Sequence, residues 1–311
     1  MILEFLHPYL LLSISVTANA VCNTVMSAHS RRYGEQKSAK YAETLAISLF
    51  TAIFLFALGG FKFYVSTYSL ILGMVFGLVN CSFTVISLKA YKLGPMSLTV
   101  VIINFSTVFT AISGAVIYGE QFNPLVLIAL AFLLASSVFC AKKETGEKKA
   151  NILWLFLSVT AMVLSTFVGL LQKAHQTSEH KNELISFLIV SFVFSTLFSH
   201  VALIVTKNVK PKMSYDNVFE PFKKERNFSG ILLNYAVFGL IAGLCTAINH
   251  AFNLYLSGII PTATFFPLVN GIPLALSIVF GFIFLKEKLN KNQIVGLILG
   301  VVGIIFIIAV G

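Results

Sequence analysis

The sequence predicts an all-α membrane protein: ten transmembrane helices arranged as two inverted five-helix repeats. Three observations predict it. Of 311 residues, 57% are hydrophobic and only 11% charged, with a mean hydropathy of +0.89, whereas a soluble domain is about 25% charged. The apolar residues gather into ten runs, most close to the ~20 residues a spanning helix needs, without the short alternating pattern of barrel strands. The runs also match one another when the chain is slid along itself. Soluble enzyme folds, collagen-like chains and disordered chains are excluded by this composition.

In chain order the predicted spans are 8–26, 41–58, 65–88, 96–118, 124–141, 151–172, 184–206, 230–256, 258–285 and 292–310. Histidine aside, Glu43 is the single charged residue inside them. In the first span, Ala18-Asn19-Ala20 has the shape of a signal-peptidase site. Residues 1–12 lack any Lys or Arg, however, and the apolar run continues to Met26, so it reads as a membrane helix. Most loops between spans are short and basic. The longest runs from Lys207 to Arg226.

The net charge of +10 lies almost wholly in those loops. Nineteen basic residues fall in loops 1–2, 3–4, 5–6, 7–8 and 9–10, against Lys62, Lys173 and Lys181 on the other face. The positive-inside rule then makes the first set cytoplasmic and places both termini outside. No basic stripe interleaved with aromatics is present, so no nucleic-acid partner is expected. Cys22, Cys81, Cys140 and Cys245 lie in or at the end of apolar runs without CxxC spacing, which makes them small packing residues.

A basic stretch at 142–150 divides the chain into a first half, 1–141, and a second, 151–311. A shift of 166 residues superposes Gly73 on Gly239, Gly77 on Gly243, Pro95 on Pro261 and Asn104 on Asn270. With one further residue, Glu120 falls on Glu287 and Asn123 on Asn290. Five spans per half is odd, so the second half inserts in the opposite sense. Inverted repeats of this kind provide alternating access around a midplane site.

Two stretches carry a family resemblance: YKLGPMSLTVVIINFSTVFTAISGAVIYGEQFNP and LSGIIPTATFFPLVNGIPLALSIVFGFIFLKEKLN. With the five-helix halves, they resemble the EamA family of the drug/metabolite transporter superfamily. In that family a Pro stands about thirteen residues before a Gly-Glu pair. Pro273 fits this place in the second half, whereas Thr107 occupies it in the first, and the second half reads Lys286-Glu287 in place of Gly-Glu. The resemblance implies a ten-helix transporter of the cell (inner) membrane. It also implies cytoplasmic termini, against the loop charges, and here the charges of this chain are followed.

Polar side chains are costly in hydrocarbon, so those present are expected to line the bundle interior or a cavity. Asn19 and Asn23 share a face of the first span, and Asn80, Thr84 and Ser87 form a stripe in the third. Thr246, His250 and Asn253 form the corresponding stripe in the eighth, while Asn104 and Asn270 lie in the fourth and ninth. Neutral amides offer donors and acceptors to polar uncharged or zwitterionic groups; the alternative for each is helix-to-helix packing. His250 is either a relay or donor or a packed neutral ring. Pro267, Gly271 and Pro273 are expected to open or kink the ninth span beside Asn270. Glu120 and Glu287 at helix ends are candidates for gating, with simple solvation as the alternative.

No Asp or Glu lies in the first, third, sixth or eighth span, which disfavours proton-exchange export of lipophilic cations. A quaternary-ammonium or drug-like cation carrier stays as the second reading, and it would need an aromatic cage. HExxH, GxSxG and P-loop motifs do not occur, and His175, Glu179 and His180 form only a weak loop cluster. No catalytic residue, metal or cofactor is expected. The expected partners are a small-molecule substrate and the lipid bilayer, with the chain as a monomer or homodimer. The activity expected is alternating-access transport of a small polar metabolite of amino-acid, sugar or nucleoside-like kind.

Overall fold

The computed structural model describes residues 7–33, 37–94, 96–140, 151–209, 228–284 and 290–310. The linker at 142–150, most of the loop from Lys207 to Arg226, Pro95 and Glu287 lie outside the described residues. Among the described residues the chain is all-helical, with no strand. The helices are α1 (Pro8–Tyr33), α2 (Lys37–Leu58), α3 (Thr67–Leu93), α4 (Met96–Asn104), α5 (Ser106–Tyr118), α6 (Val126–Cys140), α7 (Ile152–Gln176), α8 (Leu184–Val209), α9 (Phe228–Ser257), α10 (Thr262–Phe284) and α11 (Lys291–Val310). Eight segments, one of them formed by α4 and α5 together, are long and apolar enough to cross a membrane. Glu43–Leu58 and Val126–Cys140 are shorter apolar helices. Large apolar side chains stand outward, such as Val116, Ile152 and Ile305, each more than half exposed. In water such a surface would be an aggregation liability, whereas in lipid it is the solvated face.

Three boundaries differ from the sequence reading. The fourth span is interrupted at Phe105, whose N–H is shared between the carbonyls of Val101 and Ile102 at 3.3 and 3.2 Å. Hydroxyl back-bonding follows at once: Thr110 donates to the Ser106 carbonyl at 2.8 Å and Ser113 to that of Thr110 at 2.5 Å. Such bonds bend helices. The ninth span begins at Thr262 rather than at residue 258. Pro261 has no N–H to donate and stands just ahead of the first turn, its carbonyl accepting from Phe265 at 2.8 Å. The sixth span runs on to Gln176, so Lys173 is a buried residue of a helix end and not the loop residue assumed above.

The chain divides into two compact units, each drawing on both sequence halves. Unit 1 comprises Met1–Thr17, Val79–Lys181 and Phe252–Gly311; unit 2 comprises Ala18–Leu78 and Asn182–Ala251. In unit 1, α11 lies along α6, and α10 packs on α5 and α11 around Phe265, Leu268, Ala129 and Ile307. Small residues permit this approach: a Cβ at Gly296 would lie 2.5 Å from the Cys140 sulfur, and Ser136 donates to the Gly296 carbonyl at 2.7 Å. Apolar burial provides no drive between helices already in lipid, so close backbone packing and hydrogen bonds take its place.

Unit 2 is built the same way. A Cβ at Gly77 on α3 would lie 2.6 Å from the Ser191 carbonyl on α8. One at Gly243 on α9 would lie 2.6 Å from the Phe50 side chain on α2. Gly73 and Gly239, one turn earlier on α3 and α9, face Val190 and Phe50 in the same manner.

Candidate functional site

Asn104 and Asn270 come together in unit 1. Asn104 ends α4 at the interruption and donates through Nδ2 to the Ser137 hydroxyl of α6 at 3.0 Å. Asn270 projects from the proline-containing part of α10 and donates to Thr107 of α5 at 2.9 Å. Both amides, with Thr107, Ser137, Pro267 and Gly271, line one cavity of about 20 Å³. A space of about 10–15 Å³ admits one water, so this cavity in its present form fits water and not a metabolite. The two amides occupy matched positions under the 166-residue shift, as do Thr107 and Pro273. The two amides nevertheless find different partners: Asn270 bonds the Thr107 hydroxyl, whereas the position matched to Thr107 in the second half is Pro273, with no hydroxyl to offer, and Asn104 bonds Ser137 of α6.

Pro267 and Pro273 both lie inside α10, which continues without interruption from Thr262 to Phe284. Each proline removes a donor, so the carbonyls of Ala263 and Val269 lose their usual i+4 partners. The break in regular helix falls across the cavity, at Phe105.

The other predicted residues are distributed over both units. Asn253 is buried in unit 1 and accepts from the Ser15 hydroxyl at 2.6 Å, tying the start of α1 to the end of α9. Asn80 and Thr84 are half-buried on α3, with Thr84 donating to the Asn80 carbonyl at 3.0 Å. In unit 2, Thr246 donates to the Ala242 carbonyl at 2.7 Å and lies 3.5 Å from the Cys22 sulfur. His250 is flanked edge-on by Phe192, at 5.0 Å between centroids, and more distantly by Phe76 at 6.4 Å. Its Nδ1 is buried and makes no hydrogen bond among the described residues. Asn19 is half-buried and Asn23 exposed on α1.

Two pairings of ionisable side chains were not anticipated from the sequence. In unit 2, His29 Nδ1 lies 2.7 Å from Glu43 Oε1, both residues buried, with Phe238 stacked on the imidazole at 4.1 Å. Glu43, histidine aside the single residue of charged type within the predicted spans, is thus buried against a partner. In unit 1, Lys173 Nζ lies 2.5 Å from Glu120 Oε1 and donates to the Ser257 carbonyl at 2.8 Å. Glu120 Oε2 accepts the Thr262 N–H, the first of α10, at 2.7 Å. Gly119, at φ 64°, turns the chain at the end of α5, a left-handed conformation that glycine adopts freely. Burial alone would raise the Glu120 carboxyl, and it is the largest single influence. The hydrogen bonds from Lys173 and Thr262 and the Lys173 charge together outweigh it and hold the group below its ordinary value of 4.5. A helix reading of 172–176 was the available signal for Lys173, because no turn residue intervenes before Thr177-Ser178.

Apolar helices with neutral polar groups between them define a multi-pass membrane protein. The model of the EamA-like transporter family matches residues 152–309, just over half of the chain, and the chain belongs to that family. No curated relative matches it in sequence. A solved crystal structure, described only as that of a protein, is similar over 97% of this chain and 99% of its own, with a TM-score of 0.69 and 13% identity. At that identity the likeness concerns the fold alone.

Proposed function

We propose that this member of the family is a secondary transporter of the cell membrane, carrying a small polar uncharged or zwitterionic metabolite by alternating access. The two five-helix halves act as inverted repeats, and neutral amides meet the substrate. The observation that carries this reading is the meeting of Asn104 and Asn270, matched positions of the two halves, at one cavity beside two prolines and a helix interruption. Amide-to-hydroxyl bonds are weak enough to be exchanged for bonds to a solute, each contributing about 1 kcal/mol net. A cavity the size of a water then corresponds to a closed conformation, which widens when α10 moves against α5 and α6. The glycine contacts support the repeat: Gly73 and Gly77 of the third span face the seventh, and their counterparts Gly239 and Gly243 of the eighth face the second. A pseudo-twofold relation requires such an exchange of partners.

Purified protein in liposomes, screened by counterflow over a metabolite library, tests the reading. Asn104→Leu and Asn270→Leu keep roughly the volume and remove the polar group, so substrate binding should weaken by ~1–3 kcal/mol. Thermal stability should fall less, because hydrogen bonds between membrane helices average about 0.6 kcal/mol. Normal affinity with collapsed stability would make these amides packing residues. The search would then move to Asn80, Thr84, Thr246 and His250.

A further inference from the structure

A larger cavity than the one between the amides lies elsewhere in unit 1. It measures about 630 Å³ and is lined by Glu120, Gln121, Asn123, Lys173, Ile259 and Thr264 among others. That volume is in the ~300–1,000 Å³ range of small-molecule sites, unlike the ~20 Å³ space between the amides. Its charged lining is a closed pair: the Lys173 side chain is 6% exposed and that of Glu120 19%. Each partner has a second anchor, Lys173 on the Ser257 carbonyl and Glu120 on the Thr262 N–H.

A site that already holds one positive and one negative group selects by balance. An anion that takes Lys173 from Glu120 leaves a half-buried carboxylate without its cation. A cation that takes Glu120 leaves a buried ammonium without its anion. Either costs far more than the new contact returns, because breaking one side of a buried pair strands the other. A ligand carrying both charges leaves neither stranded. We infer that this cavity is a binding site, separate from the amide cluster, for a molecule bearing a primary ammonium and an anionic group. Its anion replaces Glu120 on Lys173, and its ammonium replaces Lys173 on Glu120, and each side chain keeps its backbone anchor, Lys173 on the Ser257 carbonyl and Glu120 on the Thr262 N–H, as the two part. The same chemistry is offered by a free zwitterion and by a phosphatidylethanolamine headgroup. The inference uses the geometry of unit 1 and does not depend on the amides binding substrate.

The test is thermal stability of the full chain in phosphatidylcholine nanodiscs, since a ligand bound to the folded state raises the melting temperature by mass action. Glycine is the zwitterionic probe, with acetate and ethylammonium as single-charge controls. Ile259→Trp fills the mouth of the cavity and leaves the ion pair intact, whereas Lys173→Met removes the cation. Glycine should stabilise the wild type with both controls inert; its affinity should drop by at least about tenfold in Lys173→Met, the equivalent of one lost charge-assisted hydrogen bond, and by at least about tenfold in Ile259→Trp, where the indole takes up the space the ligand needs. Stabilisation on exchanging phosphatidylcholine for phosphatidylethanolamine, absent in both variants, assigns the site to the lipid headgroup. An equal response to acetate, a zwitterion response that survives in Ile259→Trp, or no response to either zwitterion overturns the inference. Persistence of the glycine response in Asn104→Leu and Asn270→Leu separates this site from the transport reading.

Discussion

An ionisable group inside a membrane bundle is kept where a partner lowers the cost of burying it, and Glu43 and Glu120 meet that requirement differently. Glu43 faces an imidazole, so a neutral amide in its place still offers an oxygen to His29. Glu43→Gln should therefore change stability little. Glu43→Leu removes the oxygen that faces the buried His29 ring and should cost about 1–3 kcal/mol, and chemical unfolding of the two variants side by side reads the difference. Glu120 faces a lysine, and there the proton matters. Its carboxyl lies below 4.5 in the folded chain, so the stability it contributes is present above about pH 4.5 and is lost as pH falls through the lowered value. The melting temperatures of wild type and Glu120→Gln should stand furthest apart at neutral pH and converge on acidification. A gap that stays constant down to acid pH would contradict the assignment of the pair.

At the scale of elements, stability rests on how closely backbones approach. Gly77 and Gly243 each leave no room for a Cβ, with neighbours at 2.6 Å in both cases. Leucine at either place should cost at least ~1–3 kcal/mol, the usual range for overpacking. Gly271 meets only the flexible end of Leu133, at 3.0 Å, and Gly271→Ala should cost less; thermal stability of the three variants gives the ranking. The glycine pairs were legible in the sequence, because their four-residue spacing recurs 166 residues later in the chain. The break at Phe105 was not. It has no proline or glycine beside it, and its signal is a spacing of hydroxyls, Ser106, Thr110 and Ser113, that also suits a regular helix. The prolines of α10 were legible as residues, but the helix continues through both.

For the whole molecule, the class of protein followed from composition alone, and the polar positions could be read off the apolar runs. Their partners could not, since Ser15 and Asn253 are 238 residues apart and Thr107 and Asn270 are 163. Only the packed chain brings such residues to one place. The orientation expected from the loop charges has the loop after α2 outside and the end of α3 inside. Tyr64 and Lys89 are both exposed. In intact cells a cysteine at residue 64 should react with an impermeant maleimide, and one at residue 89 should be protected. The reverse pattern would overturn the orientation and put both termini in the cytoplasm.

The contact between α4 and α7 has an optical consequence. Trp154 is the one tryptophan in the chain, 5% exposed, and its indole N–H donates to Thr99 at 2.7 Å. Fluorescence of the unmodified protein excited at the red edge of protein absorption thus comes from a single emitter, set where α7 meets the helix that precedes the Phe105 break. Its colour and its quenching report on that junction without any attached dye. If α4 moves against α7 during a transport cycle, the indole loses its hydroxyl acceptor and the emission changes in step with turnover.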